Sequence, residues 1–142
     1  MATANTIHVD IVTPEKRLIG LDVDEVILPG KEGYFGVLPG HAPLLSELDI
    51  GQLMYRRGNQ RHYLSVAWGF AEVLSDRVSV LAEIAERAED IDSDRAGRAR
   101  DRAKQRLQTP SGDIDLRRAQ VALQKALIRI QVAAHAGPKR PE

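Results

Sequence analysis

Residues 91–134 read IDSDRAGRARDRAKQRLQTPSGDIDLRRAQVALQKALIRIQVAA, and this stretch decides how the chain divides. Ala96, Ala99, Ala103 and Leu107 recur at steps of three and four, which predicts one helix. Leu116, Ala119, Leu123, Ala126, Leu127, Ile130 and Ala134 repeat that spacing and predict a second. Asp92 and Ser93 stand where the first helix needs an N-cap acceptor, and Asp113 where the second does. Thr109-Pro110-Ser111-Gly112 breaks the run, and Gly137-Pro138 ends it. Each helix has one narrow apolar stripe, so each needs a partner to be stable in water. The first stripe is mostly alanine. At about 25 cal/mol per Å² such a seam is weak, so the pair is either a fixed αα-hairpin or an arm able to open.

Working back towards the N-terminus, the pattern changes to alternation. Ile7, Val9 and Ile11 face one way and His8 and Asp10 the other, which predicts a half-buried strand over residues 6–13. Residues 18–28 predict a second, longer strand. Pro29 to Gly33 form a turn cluster, and residues 34–38 a short strand. Pro39-Gly40-His41-Ala42-Pro43 punctuates the chain again, and residues 44–48 return towards the core. Arg57-Gly58-Asn59 reads as a hairpin turn between strands over 51–56 and 60–66, with Gly58 free to take a positive φ. Residues 68–74 predict another strand, residues 78–81 close the series, and residues 82–90 form an acidic connector. Trp68, Phe70 and Phe35 are expected in the core. About eight short strands with Gly/Pro turns argue for a β-sandwich or a flattened barrel. The fold class is therefore α+β: a sandwich domain over residues 1–87 and a two-helix domain over 88–142.

Charge follows the same division. The chain of 142 residues has 20 Lys+Arg and 20 Asp+Glu. Residues 1–90 hold 8 basic and 14 acidic side chains, while residues 91–142 hold 12 and 6. A basic back half suits phosphates, acidic protein surfaces or nucleic acid. Cysteine is absent, which excludes disulfides, thiolate metal sites and Cys nucleophiles and fits a reducing compartment. The first thirteen residues lack the basic and apolar regions of a signal peptide, and no apolar run approaches a membrane span.

Catalytic chemistry is hard to find. Gly30-Lys31-Glu32 fails the last position of a phosphate-binding loop, and no nucleophile elbow is present. His8, His41, His62 and His135 are scattered without metal-ligand spacing. Asp22 and Asp24 alternate on one strand face and read as solvated. Three features remain. The loop around Gly40-His41 is either a rigid turn that sends Leu44 and Leu45 into the core or a stiff exposed knuckle that docks on a partner. Arg95, Arg98, Arg102 and Arg106 fall on one side of the first helix, with Arg118, Lys125 and Arg129 at compatible spacing on the second. They are either a solvated face or the flanks of an anion pocket, where guanidinium forks matter. The helix pair itself is the third. A nucleic-acid adaptor would use the same basic helices, but no aromatic residue lies among them to stack bases.

In combination, GYFGVLPGHAPLL (33–45), YLSVAWGFAEV (63–73), VSVLAE (78–83), IDSDRA (91–96) and GDIDLRRAQVALQKALIRIQVA (112–133) resemble the epsilon subunit of bacterial F-type ATP synthase. The resemblance covers about residues 5–135. It implies an N-terminal sandwich of about ten strands, a C-terminal antiparallel helical hairpin and no active site. It also implies a central-stalk rotor subunit of a proton-translocating complex on the cytoplasmic face of the bacterial inner membrane, reaching the membrane only through that complex. Its partners would be the gamma subunit, the c-ring and, with the arm extended, the catalytic alpha/beta head. The arm would inhibit ATP hydrolysis. The c-ring contact carried over is Lys31, Glu32, Gly33 and Tyr34 with Gly40 and His41; many relatives have an acid where this chain has Tyr34. In some relatives the folded hairpin binds ATP as a regulatory ligand. The matching positions are Ile91, Asp92, Arg95 and Ala96 of the Ile-Asp-x-x-Arg-Ala motif, with Glu86, Arg102, Lys125 and Arg129. Lys125 stands where well-binding relatives have arginine, and a lysine lacks the bidentate fork.

Overall fold

The computed structural model describes residues 5–109 and 112–136. The chain separates into two compact units, Met1–Glu86 and Arg87–Glu142.

Among its described residues the first unit holds eight strands: β1 (Ile7–Val12), β2 (Arg17–Val23), β3 (Glu25–Gly30), β4 (Gly33–Val37), β5 (Leu44–Leu48), β6 (Gly51–Arg57), β7 (Gln60–Val73) and β8 (Arg77–Arg87). Hydrogen bonding runs β2-β1-β8-β7-β5-β3-β4, and β6 also pairs with both β3 and β7. β5 and β6 thus each bridge β3 to β7, which folds the sheet onto itself. β1 and β8 are parallel, whereas the other registered pairs are antiparallel. The alternation of β1 is realised: Ile7, Val9 and Ile11 are fully buried in a core with Leu28, Leu53, Leu64 and Val80. The expected turn at Gly58 is present with φ 60°.

Several boundaries differ from the sequence expectation. Residues 18–28 are two strands, because at Asp24 the chain leaves β1 and joins β4 and β6. Asp24 marks the crossing: its carboxylate accepts from Gly58 N–H at 2.6 Å, and its own N–H donates to Arg56 at 2.8 Å. Pro29 and Gly30 belong to β3 and are buried, so only Lys31 and Glu32 turn. The strands expected at 60–66 and 68–74 are one strand of 14 residues. Trp68 (φ 58°) and Gly69 (φ 122°) kink it where its partner changes from β6 to β5. The acidic connector does not exist as a loop: β8 runs to Arg87, and a 3-10 turn follows at Ala88–Asp90.

The kink also corrects the expected core. Before it, Leu64 and Val66 face inward; after it, Ala71 and Val73 do. The inward parity has changed by one residue, as a bulge requires. Phe70 therefore points outward and is 48% exposed. Trp68 and Phe35 are half-buried, and Phe35 packs against the core.

The second unit holds α1 (Ser93–Gln108) and α2 (Asp113–Ala133), packed against each other, and a 3-10 turn at Ala134–Ala136. The two 3-10 turns touch, so the helices are antiparallel. Asp92 caps α1 by accepting Arg95 N–H at 3.1 Å. The N-cap of α2 is Gly112 (φ 148°), not Asp113, which is already the first helical residue. The Pro110-Ser111 break and the Gly137-Pro138 end lie outside the described residues. The seam is narrower than expected. Ala96, Ala103, Ala119 and Ala126 are buried, with Val132, while Ala99 and Leu107 are half-buried. Leu127 is 45% exposed, and Ala134 lies past the helix and is exposed. Counted outward from the break, Ala96 is level with Ala126 and Ala103 with Ala119. Two alanine rungs let the helices approach closely while burying little area.

Candidate functional site

On the sandwich, alternation makes an outer surface that the core does not need. Leu45 and Glu47 of β5, Phe70 and Glu72 of β7, and Leu81 and Glu83 of β8 are all exposed. Glu47 pairs with Phe70 in register, and Leu45 with Glu72. Leu45 is 70% and Leu81 60% exposed. A shallow groove of about 370 Å³ lies beside them, lined by Val12, Pro14, Phe70 and Leu81 among others. Large exposed apolar side chains on such a surface mark a contact with another molecule. Leu44 is also exposed, so the Gly40-His41 loop does not send two leucines into the core; it delivers them to the surface. The sequence missed Phe70 and Leu81 as surface residues. The available signal was Gly69, since a lone glycine inside a strand pattern marks a bulge.

The β3–β4 turn is anchored on one side by Lys31, whose Nζ lies 3.1 Å from Glu47 and whose N–H donates to the Glu47 carbonyl at 2.9 Å. The Tyr34 hydroxyl accepts Gln52 N–H at 3.0 Å, so this residue braces β6 while remaining 58% exposed. Glu32 and Gly33 are exposed at the turn itself. Gly40 (φ 86°) donates to the Ser75 carbonyl at 2.8 Å, and His41 N–H to Leu38 at 3.2 Å. Gly33 and Tyr34 open β4, and Gly40 and His41 follow its far end at Val37.

On the hairpin, Ile91 and Ala96 are buried and serve its packing, while Asp92 is the cap. Arg95 and Arg102 are exposed, and Lys125 and Arg129 are half-buried on α2. Glu86 is on β8, in the other unit. A cleft of about 670 Å³ opens near the break, lined by Arg102, Arg106, Arg118, Asp115, Gln105 and Thr109. Three guanidinium groups beside one carboxylate can take up an anion. Of the residues expected to hold ATP, only Arg102 lines this cleft.

Two family models cover most of the chain. The model described as ATP synthase, Delta/Epsilon chain, beta-sandwich domain matches residues 6–88. That described as ATP synthase, Delta/Epsilon chain, long alpha-helix domain matches residues 89–134. The chain belongs to the ATP synthase delta/epsilon family. Its relatives include the ATP synthase epsilon chain of Nitratidesulfovibrio vulgaris strain Hildenborough, 53% identical over 131 residues and covering 92% of this chain and 98% of that one. The epsilon chain of Geobacter sulfurreducens is 47% identical over 137 residues, with 96% and 99% covered. The fold is also found in the Euglena gracilis mitochondrial ATP synthase (OSCP/F1/c-ring, rotational state 1). There the TM-score is 0.78 at 22% identity, with 96% of this chain and 82% of that chain covered.

Membership in the delta/epsilon family makes this a non-catalytic chain of the synthase, and the resemblance drawn from residues 33–45 and 91–96 holds over the whole described length. The family's two matched domains are the sandwich and the helix pair described above. No helix among the described residues is long and apolar enough to cross a membrane.

Proposed function

We propose that this delta/epsilon-family chain is a rotor subunit of the central stalk in a proton-translocating F-type ATP synthase. Its sandwich grips the gamma subunit and the c-ring, coupling ring rotation to ATP synthesis. Its hairpin is a regulatory arm that limits ATP hydrolysis, and the chain meets the membrane only through the complex, on the cytoplasmic face. The observation that carries this reading is the exposed set Leu45, Phe70 and Leu81 on a sandwich whose core is already complete without them. Family membership supplies the class of partner.

The arm follows from the alanine seam. Its buried side chains are small, so the folded pair gives up little when its stripes are offered to another surface. Straightened, residues 91–134 would span about 66 Å at 1.5 Å per residue. That length reaches from a stalk base into a catalytic alpha/beta head. ATP is proposed as a ligand of the folded state through Arg102 and its neighbours, shifting the arm only by its differential affinity for the two states. The test is a pull-down with the tagged chain from detergent-solubilised membranes, followed by ATPase assays on complexes lacking residues 91–142. The truncated complex is expected to assemble, remain coupled and hydrolyse ATP faster. Unchanged hydrolysis overturns the inhibitory arm, and failure to co-purify with any synthase subunit overturns the stalk role.

A further inference from the structure

The cleft at the closed end of the hairpin is polar throughout. Arg102, Gln105 and Arg106 of α1 line it with Thr109, its C-cap, and with Asp115 and Arg118 of α2. Arg102 and Arg106 are one turn apart on α1 and so share a face. By the same count that pairs the alanine rungs, Arg118 stands level with Lys104, midway between them. Three guanidinium groups thus converge from two helices. Among the described residues none of the three forms an ion pair.

The positions carried over for ATP lie further from the break. Arg95 is seven residues beyond Arg102 on α1, and Lys125 seven beyond Arg118 on α2, about 10 Å in each case at 1.5 Å per residue. Lys125 and Arg129 are half-buried and already engaged. Arg102 alone is common to both sets.

Guanidinium forks match the oxygens of a tetrahedral anion. The Asp115 carboxylate adds a condition. It has a partner of its own, but a carboxylate has lone pairs to spare. It repels a fully ionised anion and accepts from one that keeps a proton. Near neutral pH inorganic phosphate keeps a proton and sulfate does not. Inorganic phosphate and the phosphate chain of a nucleotide share this chemistry. The lining favours the first, because no apolar side chain among the described residues of the cleft is there to take a base.

We propose that this cleft is an inorganic phosphate site that exists only while the hairpin is closed. Arg106 and Arg118 are twelve residues apart, and along one straight continuous helix that is about 18 Å. A single phosphate does not touch both at that distance. It therefore binds the closed pair in preference to the straightened arm, and it favours closure by that difference alone. The consequence for hydrolysis rests on the regulatory arm proposed above. The binding does not, and it needs no nucleotide.

The full chain is to be titrated with sodium phosphate, sodium sulfate and ATP at constant ionic strength in a calorimeter. Phosphate is expected to saturate one site below about 10 mM and to bind R106Q and R118Q about tenfold more weakly. R117Q removes the same charge one position away and outside the cleft, and should bind nearly as the parent does. Sulfate should bind more weakly than phosphate, and D115N should lose that preference. In circular dichroism, phosphate should raise the helical midpoint of the parent and not that of R118Q. Trp68, the single tryptophan, lies on β7, so its fluorescence follows the sandwich, whose midpoint should stay in place. No saturation by phosphate, saturation by ATP alone, equal losses in R117Q and R118Q, or sulfate bound as well as phosphate overturns the site. Phosphate binding that leaves the helical midpoint unmoved overturns its dependence on the closed hairpin. Both readouts use the chain by itself, so they are decided separately from the ATPase assays that test the arm.

Discussion

Gly69 lies directly beneath the carbonyl of Leu81: a Cβ placed on Gly69 would sit 2.0 Å from that oxygen and 2.9 Å from the Ala82 Cα. The close approach of β7 to β8 and the positive φ at this position are met together only by glycine. The same kink sets Phe70 outward, so the fit of Gly69 against Leu81 controls both the stability of the sandwich and the character of its outer face.

Gly69→Ala is therefore expected to cost about 3 kcal/mol or more, because backbone, not a flexible side chain, is what a methyl would strike. Urea unfolding followed by Trp68 fluorescence measures it. A cost below about 1 kcal/mol would mean that β7 and β8 separate freely at this point.

Phe70→Glu tests the surface without touching the core. An exposed side chain off the core changes stability by about 0.5 kcal/mol or less. The variant should unfold like the parent and yet lose co-purification with synthase subunits, because a charge replaces the apolar centre of the docking face. Full retention in the pull-down would remove Phe70 from any interface.

Asp10 makes the stability of the sandwich depend on pH. Partial burial pulls its carboxyl upward, but the hydrogen bonds from Arg17 and Arg77 outweigh that and hold it below the ordinary carboxylate range. Its contribution is therefore present above about pH 3.9 and is lost as pH falls further. Asp10→Asn should reduce stability at pH 7 by about 1 kcal/mol, a modest figure because Arg17 and Arg77 are largely exposed. Parent and variant should converge once the folded Asp10 carboxyl is itself protonated. Acid unfolding curves followed by Trp68 fluorescence read both.

Ala103→Leu should push α1 and α2 apart, since the rung with Ala119 has no room for a larger side chain. Overpacking of this kind costs about 1–3 kcal/mol. The helical transition in circular dichroism should move to lower temperature while Trp68 fluorescence keeps its midpoint. Within the synthase, a looser hairpin should extend more readily and lower ATP hydrolysis further. Hydrolysis unchanged in that variant would detach the alanine seam from regulation.

Arg102→Ala examines the anion cleft. Losing one of three guanidinium groups is expected to weaken ATP binding to the isolated chain about tenfold, roughly 1.4 kcal/mol. Isothermal calorimetry decides it. Parent protein that takes up no ATP would dispose of the nucleotide proposal altogether.

Much of this was legible locally. The alternation of Ile7, Val9 and Ile11, the Gly58 turn and the Asp92 cap depend on residues within a few positions of one another. Gly112 displaced Asp113 as a cap because a cap is fixed by where the chain enters the helix, not by side-chain chemistry alone. The merging of two expected strands into β7 was not legible, since its halves answer to different partners, β6 and β5. The candidate ATP residues split for a similar reason. Ile91 and Ala96 are consumed by packing, whereas Arg106 and Arg118 reach the cleft because antiparallel helices bring them together.

By itself the sequence determined the two modules, the helical register, most strand positions and the family, because periodicity, capping and turn chemistry are short-range. Only the tertiary structure decided that Phe70 faces outward, that Gly69 must lie against Leu81, and that Asp10 meets Arg77 from 67 positions away. Those facts depend on which strand lies beside which, and strand neighbours are chosen by the burial of the whole core.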